Sequence, residues 1–385
     1  MSTSNVSRVY KWSIAALSSL ALAGCSMFSD PDPRTMPAPL TEYSASASVR
    51  VAWSVPVGKG SGQGFAPVIH ESYIYAATPD GNVTKINASN GRVSWKSNAN
   101  TRLSAGVGSD GNTTAVVSND GTVIAFDSSG QEKWRARASS EVSIPPLVGE
   151  GQVIVRSGDY RVQAFDASSG DLSWSVQRPG PALALKTSMQ MMLMDGLVIT
   201  GLPNGKLMAI HADSGAVQWE GTVSVSRGST DLERITDVVG APQVSGNLLC
   251  GVSYQGRINC FDIASGGNSS WARNFSSYVG MGVDSRHAYV PDTRSVMYAF
   301  DLSDGNEVWR QDSLFNRNIT SPAIVSGALV VGDFEGYVHV LNPSDGSLMG
   351  RLNLDKNPIV SPLLSTDHGV AVQTGNGNLV MVRLN

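Results

Sequence analysis

The chain has 385 residues, 41% hydrophobic and 16% charged, with a formal net charge of −4. Such a composition is globular and supplies a sizeable core. No run of five or more basic residues occurs, which argues against nucleic-acid binding.

The first residues read as a targeting segment. Arg8 and Lys11 precede the apolar stretch "WSIAALSSLALA", residues 12–23. About 12 apolar residues are too few to span a bilayer, so residues 1–24 read as a secretory signal peptide. "LAGC", residues 22–25, resembles the lipobox of bacterial lipoproteins. That resemblance implies lipid attachment at Cys25, which becomes the first residue of the mature chain. Ser26 follows where an Asp would resemble an inner-membrane retention signal, so the outer membrane is implied. The alternative is ordinary cleavage beside an incidental Cys. Cleavage removes Arg8 and Lys11 and moves the formal charge from −4 to −6. A mildly acidic protein is not held to anionic lipid by charge, so acyl chains would do the anchoring.

Residues 25–48 are rich in Pro, Ser and Asp and show no period. They read as the lipidated Cys followed by a flexible tether. A coil of that length reaches roughly 25 Å.

From residue 49 onward the chain repeats itself, which is the first thing to seek in a sequence. "GNVTKINASNGRVSW" (residues 81–95) recurs as "GTVIAFDSSGQEKW", "YRVQAFDASSGDLSW", "GKLMAIHADSGAVQW", "GRINCFDIASGGNSSW" and "RSVMYAFDLSDGNEVW". A seventh copy, "GYVHVLNPSDGSLMG", has Gly350 in the Trp place, and an eighth stops after "GNLVMVRLN". The end missing from the eighth copy lies at the start of the repeats. "VRVAWSVPV" (residues 49–57) is an orphan Trp strand with no Gly turn before it. It is expected to form the outer edge of the last unit.

Each unit reads as four short strands, such as "FAPVIH", "YIYAAT", "NVTKIN" and "RVSWKS", bounded by turn residues. Four strands per ~42 residues, repeated eight times, predict an all-β fold. The architecture expected over residues 49–385 is an eight-bladed β-propeller of four-stranded antiparallel blades. Pairing the two chain ends would remove an open edge. In each turn a Gly supplies positive φ, and Asp127, Asp166, Asp262, Asp301 or Asn87 can bond the turn backbone. The turn fixes register, so Trp53, Trp95, Trp134, Trp174, Trp219, Trp271 and Trp309 should face alike and wedge between units. Ala125, Ala164, Ala209 and Ala299 keep the third strand thin where sheets approach. A ligand-stacking set is the alternative for the Trp series; their even spacing suits a wedge.

Two connections stand out. The longest Trp-to-Trp gaps are 45 and 52 residues, on either side of Trp219. Their excess falls in residues 175–190 and 220–240. Both link the last strand of one unit to the first of the next, so they emerge side by side on one face. Loops carry function more often than scaffolds do. "ALAL" (residues 182–185) beside the charged "DLERITD" (residues 231–237) suggests an apolar anchor with a polar rim. The other reading folds Leu183 and Leu185 back onto their own core. The outer strands are a second candidate surface, where an extended chain could add a strand, though nothing in the sequence singles them out.

The outline "AFDxxSGxxxW" resembles the PQQ-like propeller repeat of quinoprotein dehydrogenases and of the outer-membrane assembly factor BamB. The lipobox, the short tether and the eight repeats resemble the BamB family over the whole chain. So do "RGSTDLERITDVVGAPQV" (residues 227–244) and "SPAIVSGALVVGDFEGYVHVLNPSDG" (residues 321–346). The resemblance implies a non-enzymatic scaffold subunit of the β-barrel assembly machinery, on the periplasmic face of the outer membrane, with no cofactor. Its implied partner is the POTRA domains of BamA. Other Bam lipoproteins and unfolded outer-membrane proteins are further partners to be considered. In "PALALK" (residues 181–186) the family's two Leu fall on Leu183 and Leu185, and its Arg falls on Lys186. In the second loop its two Asp places fall on Asp237 and Val239. Lys loses the bidentate fork of Arg, and Val loses a charge, so the partner contacts need not be those of the family.

Two rival readings remain. A PQQ-dependent quinoprotein dehydrogenase would resemble this repeat, but the family's adjacent Cys pair is lacking. His70, His211, His287, His339 and His368 are scattered without metal-ligand spacing. "DLSDGNE" (residues 301–307) lacks the calcium-loop pattern. A soluble periplasmic peptide-binding propeller is the other. Cys250 and Cys260 sit on two strands of one hairpin with a three-residue loop, which places them opposite, about 4.5–5.5 Å apart at Cα. That permits a disulfide in an oxidising compartment. Cys260 also holds a small-residue place, so two buried thiols are equally compatible.

Overall fold

The turn chemistry of the repeats is written into the backbone. Gly91, Gly130, Gly170, Gly215, Gly267, Gly305 and Gly346 all have φ between 72 and 84°, the region that L side chains avoid. Each closes the turn between the third and fourth strand of a sheet. In a computed structural model that describes residues 35–384, those sheets number eight, each of four antiparallel strands. The described residues contain no helix.

Blade 1 spans residues 68–98, blade 2 103–137, blade 3 147–177 and blade 4 191–222. Blade 5 spans 238–275, blade 6 282–311 and blade 7 323–353. Blade 8 takes three strands from 364–384 and its outermost strand, Val49–Pro56, from the start of the repeats. That strand pairs antiparallel with Asn378–Leu384, from Val49 opposite Leu384 to Pro56 opposite Asn378. The eight-bladed propeller and its closure are therefore as the sequence predicts. The inner strand of blade 1 is shorter than expected, three residues from Val68 to His70, because the preceding Phe65 and Ala66 bond Gly106 of blade 2 instead. The core lies in the layers between blades. Ala125, Ala164, Ala209 and Ala299 are buried and sit directly opposite Trp134, Trp174, Trp219 and Trp309.

The Trp-to-Gly spacing has a physical cause that crosses from blade to blade. Each indole lies flat on the turn glycine of the next blade. A Cβ on Gly170 would come within 2.6 Å of the Trp134 ring, and one on Gly91 within 2.8 Å of Trp53. The ring N–H then donates to the carbonyl near the start of that turn. Trp53 reaches Ala88, Trp95 Ser128, Trp134 Ala167, Trp174 Ala212, Trp271 Leu302 and Trp309 Pro343, at 2.7–3.1 Å. Trp219 differs because the next turn is one residue longer, ending in Gly266–Gly267. Its ring lies over Gly267 and also packs edge-on against Phe261, with centroids 5.0 Å apart. The wedge predicts that Gly170→Ala lowers stability more than Gly151→Ala. Both have positive φ, costing about 1–3 kcal/mol when a side chain is added, but Gly151 has no heavy atom within 4 Å of its would-be Cβ. Equal shifts of the denaturant midpoint would remove the wedge from the account.

Cys250 and Cys260 are disulfide-bonded, with Cα atoms 4.0 Å apart, and both are buried. Gly350, in the eighth Trp place, lies against Val49, whose Cγ2 would be 2.4 Å from a Cβ there. Blade 8 has no turn joining its last two strands, so an indole at 350 would have no glycine to lie on.

Cys25 and the signal segment lie outside the described residues. From Ala38 onward the chain forms one compact unit. Here the structure differs from the expected tether over residues 38–47, which lie on blade 7 rather than ending a free coil. Ala38 N–H donates to Phe315 O at 2.8 Å, and the amides of Ser46 and Ala47 donate to Met349 O at 3.0 and 3.1 Å.

Candidate functional site

The connection from blade 3 to blade 4 is built from its ends inward. Gly180 lies against the Tyr160 ring, where any Cβ would be 2.0 Å from Cδ2. The Tyr160 hydroxyl donates to Pro181 O at 2.7 Å. At the far end Gly240 N–H donates to Ser188 O at 3.0 Å, and Gln190 N–H to Gly240 O at 3.1 Å. Thr187 Oγ1 donates to Tyr278 O. Between these fixed points, residues 182–186 stand out from the ring.

The second connection, residues 223–237, folds on itself. Glu233 accepts from Ser229 N–H at 2.7 Å and Thr230 N–H at 3.1 Å, while Thr230 Oγ1 accepts from Glu233 N–H at 3.3 Å. This reciprocal pattern satisfies the free amides of a short turn. Asp237 then runs inward and its carboxylate accepts the Leu185 N–H, joining the two connections.

The structure sorts the five residues inferred for partner binding into two groups. Leu183 is 43% exposed, and Lys186 is exposed, its ammonium 3.8 Å from Glu141 Oε1. Leu185 is half-buried against a cluster containing Ile144, Met189, Val239 and Met281. Asp237 and Val239 are buried, at 0% and 1% exposure. The reading that gave those two a place on the contact surface is corrected: they cannot reach a partner through the loop that covers them. Val239 belongs to the inner strand of blade 5 (Val238–Ser245) and packs in the core.

The latch has an electrostatic signature. Burial pushes the Asp237 carboxyl from 3.8 up to about 6, opposed by the Leu185 N–H and the charge of Arg156. Arg156 is itself buried, and burial pulls it down to about 10. Its guanidinium donates to Gly201 O and contacts Met189 Sδ at 3.2 Å. Asp237 Oδ1 is buried without a hydrogen-bond partner. A carboxyl whose folded pKa is raised binds more protons folded than unfolded between about pH 4 and 6, so its contribution to stability falls as pH rises through that window. The shift is worth on the order of 3 kcal/mol at most. Asp237→Asn keeps an acceptor for Leu185 and removes the titration. Wild type should therefore lose stability relative to this variant between pH 4 and 7 in denaturant titrations; parallel profiles would contradict the buried charge.

Two cavities flank the segment. One of about 280 Å³ lies beneath it, lined by Ile144, Arg156, Ser157, Tyr160, Leu185 and Met189 among others. The other, about 420 Å³, opens at the mouth of the central channel between Leu185, Tyr278, Ile319, Ile359 and Val360. Sequence reasoning does not find the further apolar side chains on this face. Val225, Leu232, Tyr278 and Val360 are 38–67% exposed and lie on three different connections. Only the repeated direction of those connections, outer strand to next inner strand, could have grouped them. Among the described residues no three His, Cys, Asp or Glu side chains come together as a metal site. His339, buried, bonds Asp333 at 2.8 Å beside Arg317, a structural network in blade 7.

A family profile described as "Outer membrane protein assembly factor BamB" matches residues 79–311. The outer membrane protein assembly factor BamB of Bordetella pertussis is 58% identical over 385 residues, covering all of both chains. Among solved structures, BamB from Moraxella catarrhalis superposes with a TM-score of 0.80 at 23% identity, covering 87% of this chain and all of that one. Quinohemoprotein alcohol dehydrogenase from Comamonas testosteroni also superposes, at 0.67 and 13% identity over 87% of this chain and 76% of that one. The propeller alone therefore does not separate scaffold from dehydrogenase. Identity along the full length groups it with the assembly factors: the chain belongs to the family of the outer membrane protein assembly factor BamB.

Proposed function

We propose that this chain is a non-enzymatic scaffold subunit of the machinery that assembles β-barrel proteins in the outer membrane. Lipid on Cys25 holds it to the periplasmic face, and the 181–187 segment docks on the POTRA domains of BamA. Family membership supports the assembly role. The observation that supports the docking surface is an exposed Leu183 on a segment pinned from beneath by Asp237. A pre-ordered apolar side chain gives up little entropy on binding. Lys186 at the rim pairs only weakly with Glu141, because both are solvated, and can exchange that partner for another carboxylate. Asp237 acts by holding the segment and does not touch the partner.

The test is a pull-down of the tagged full-length chain from detergent-solubilised outer membrane. BamA should co-purify, and its absence would count against docking. Cys25→Ala should release the chain from the membrane fraction; unaltered attachment would count against the lipid anchor. A quinone absorbance band on adding PQQ would restore the dehydrogenase reading.

A further inference from the structure

The propeller has two faces. The connections between blades, including residues 178–190 and 223–237, lie on one; call it the loop face. The Gly turns between third and fourth strands lie on the other, the turn face. The closure strand Val49–Pro56 starts at the turn face, because Val49 pairs with Leu384 at the last position of its strand. A chain running straight back from Val49 toward its N-terminus would therefore leave from the turn face. It does not do so. Residues 38–47 turn and climb the outer wall of blade 7 to the loop face.

The climb is a built contact. At its foot the amides of Ser46 and Ala47 donate to Met349 O, beside Gly350, whose lack of a side chain leaves room for Val49 and the Ala47 carbonyl. Halfway up, Arg351 donates to Thr41 O at 3.1 Å and stacks on the Tyr43 ring at 5.0 Å. At the top Ala38 N–H donates to Phe315 O at 2.8 Å, and Arg317 donates to Ala38 O at 3.0 Å. Phe315 and Arg317 belong to the connection between blades 6 and 7. Arg317 is buried and held by Asp333 at 2.8 Å and by Glu335, so the top of the strap is fixed to a rigid cation. The Gly350 departure from the Trp repeat thus coincides with the foot of the strap.

We propose that this strap sets which face of the propeller looks at the membrane: it carries the anchored N-terminus to the loop face and turns that face, with Leu183, toward the lipid surface. The proposal rests on the lipid anchor at Cys25. From Cys25 to Ala38 the chain can extend about 45 Å at most, so the point where it leaves the propeller governs which face lies nearer the bilayer. The partner surface and the anchor then share one face, and a partner rooted in the same membrane meets Leu183 without the propeller turning over.

The test uses the lipidated full-length chain in vesicles of phosphatidylethanolamine and phosphatidylglycerol carrying an acceptor dye on a headgroup. A donor dye is placed on Asp231→Cys, on the connection leaving blade 4 at the loop face, or on Asp213→Cys, in the turn between the third and fourth strands of that blade at the turn face. Energy transfer should be greater from position 231. Replacing residues 38–46 by a Gly-Ser run of equal length should abolish the difference. Equal transfer in the native chain, greater transfer from 213, or a difference that survives the replacement would each overturn the proposal. Failure to float with the vesicles would instead overturn the anchor on which it rests.

Discussion

Deleting the closure strand, residues 49–56, is expected to lower the melting temperature by roughly 7 °C or more. The strand has seven residues in register with Asn378–Leu384, and its Trp53 covers Gly91 and bonds Ala88 at 3.0 Å. Losing a packed Trp alone costs about 3–5 kcal/mol. The deletion also strips the backbone partners from a full strand and opens a sheet edge in what is otherwise a ring. A total above about 5 kcal/mol shifts a chain of this size by ~1.3 °C per kcal/mol, because its unfolding entropy scales with length. Trp95→Ala is the comparison, since it removes an equivalent indole and leaves the ring closed. Calorimetry should show the deletion to be the more damaging by several degrees. If the two variants melt together, end-to-end pairing contributes nothing and the ring is not held by it.

Leu183→Ala is expected to weaken partner binding without touching the fold. An apolar anchor at the centre of a contact is worth about 2 kcal/mol or more when truncated, a rise in Kd of ~30-fold. Its side chain is 43% exposed in the free protein, so folding stability should move by less than ~0.5 kcal/mol. Leu185 is a poorer probe, because it packs on Ile144, Met189 and Val239. Leu185→Ala removes part of that core, and a loss of binding could then follow from a loosened loop. The pair separates contact from support. Titration of each variant against purified POTRA domains, beside a thermal melt, should show Leu183→Ala weak in binding and native in melting. A native Kd for Leu183→Ala would remove it from the interface.

The repeat was legible because its rules are local. A Gly needing positive φ, an Asp or Asn bonding the turn, and a Trp at a fixed distance can each be read within 15 residues. Blade number and closure follow by counting, including the orphan Trp53 strand. The loops were legible as departures from an even spacing. Their interior was not. Asp237 and Leu185 are 52 residues apart and look alike in sequence to a charged rim and an apolar anchor; one is a buried latch and the other half core. The same holds for residues 38–47, which end a Pro- and Ser-rich stretch, residues 25–48, whose lack of any period promises coil. They are held mainly through backbone amides and carbonyls, which every residue carries, by arginines some 280–310 positions away.

By itself, then, the sequence determined the class of fold, the number of blades, the sealing of the ring and the family. Those depend on short-range turn chemistry and period. Tertiary structure alone decided which loop side chains face solvent, where the strap runs and why position 350 is glycine. Burial is a property of what packs on a residue from elsewhere in the chain, and no local pattern encodes it.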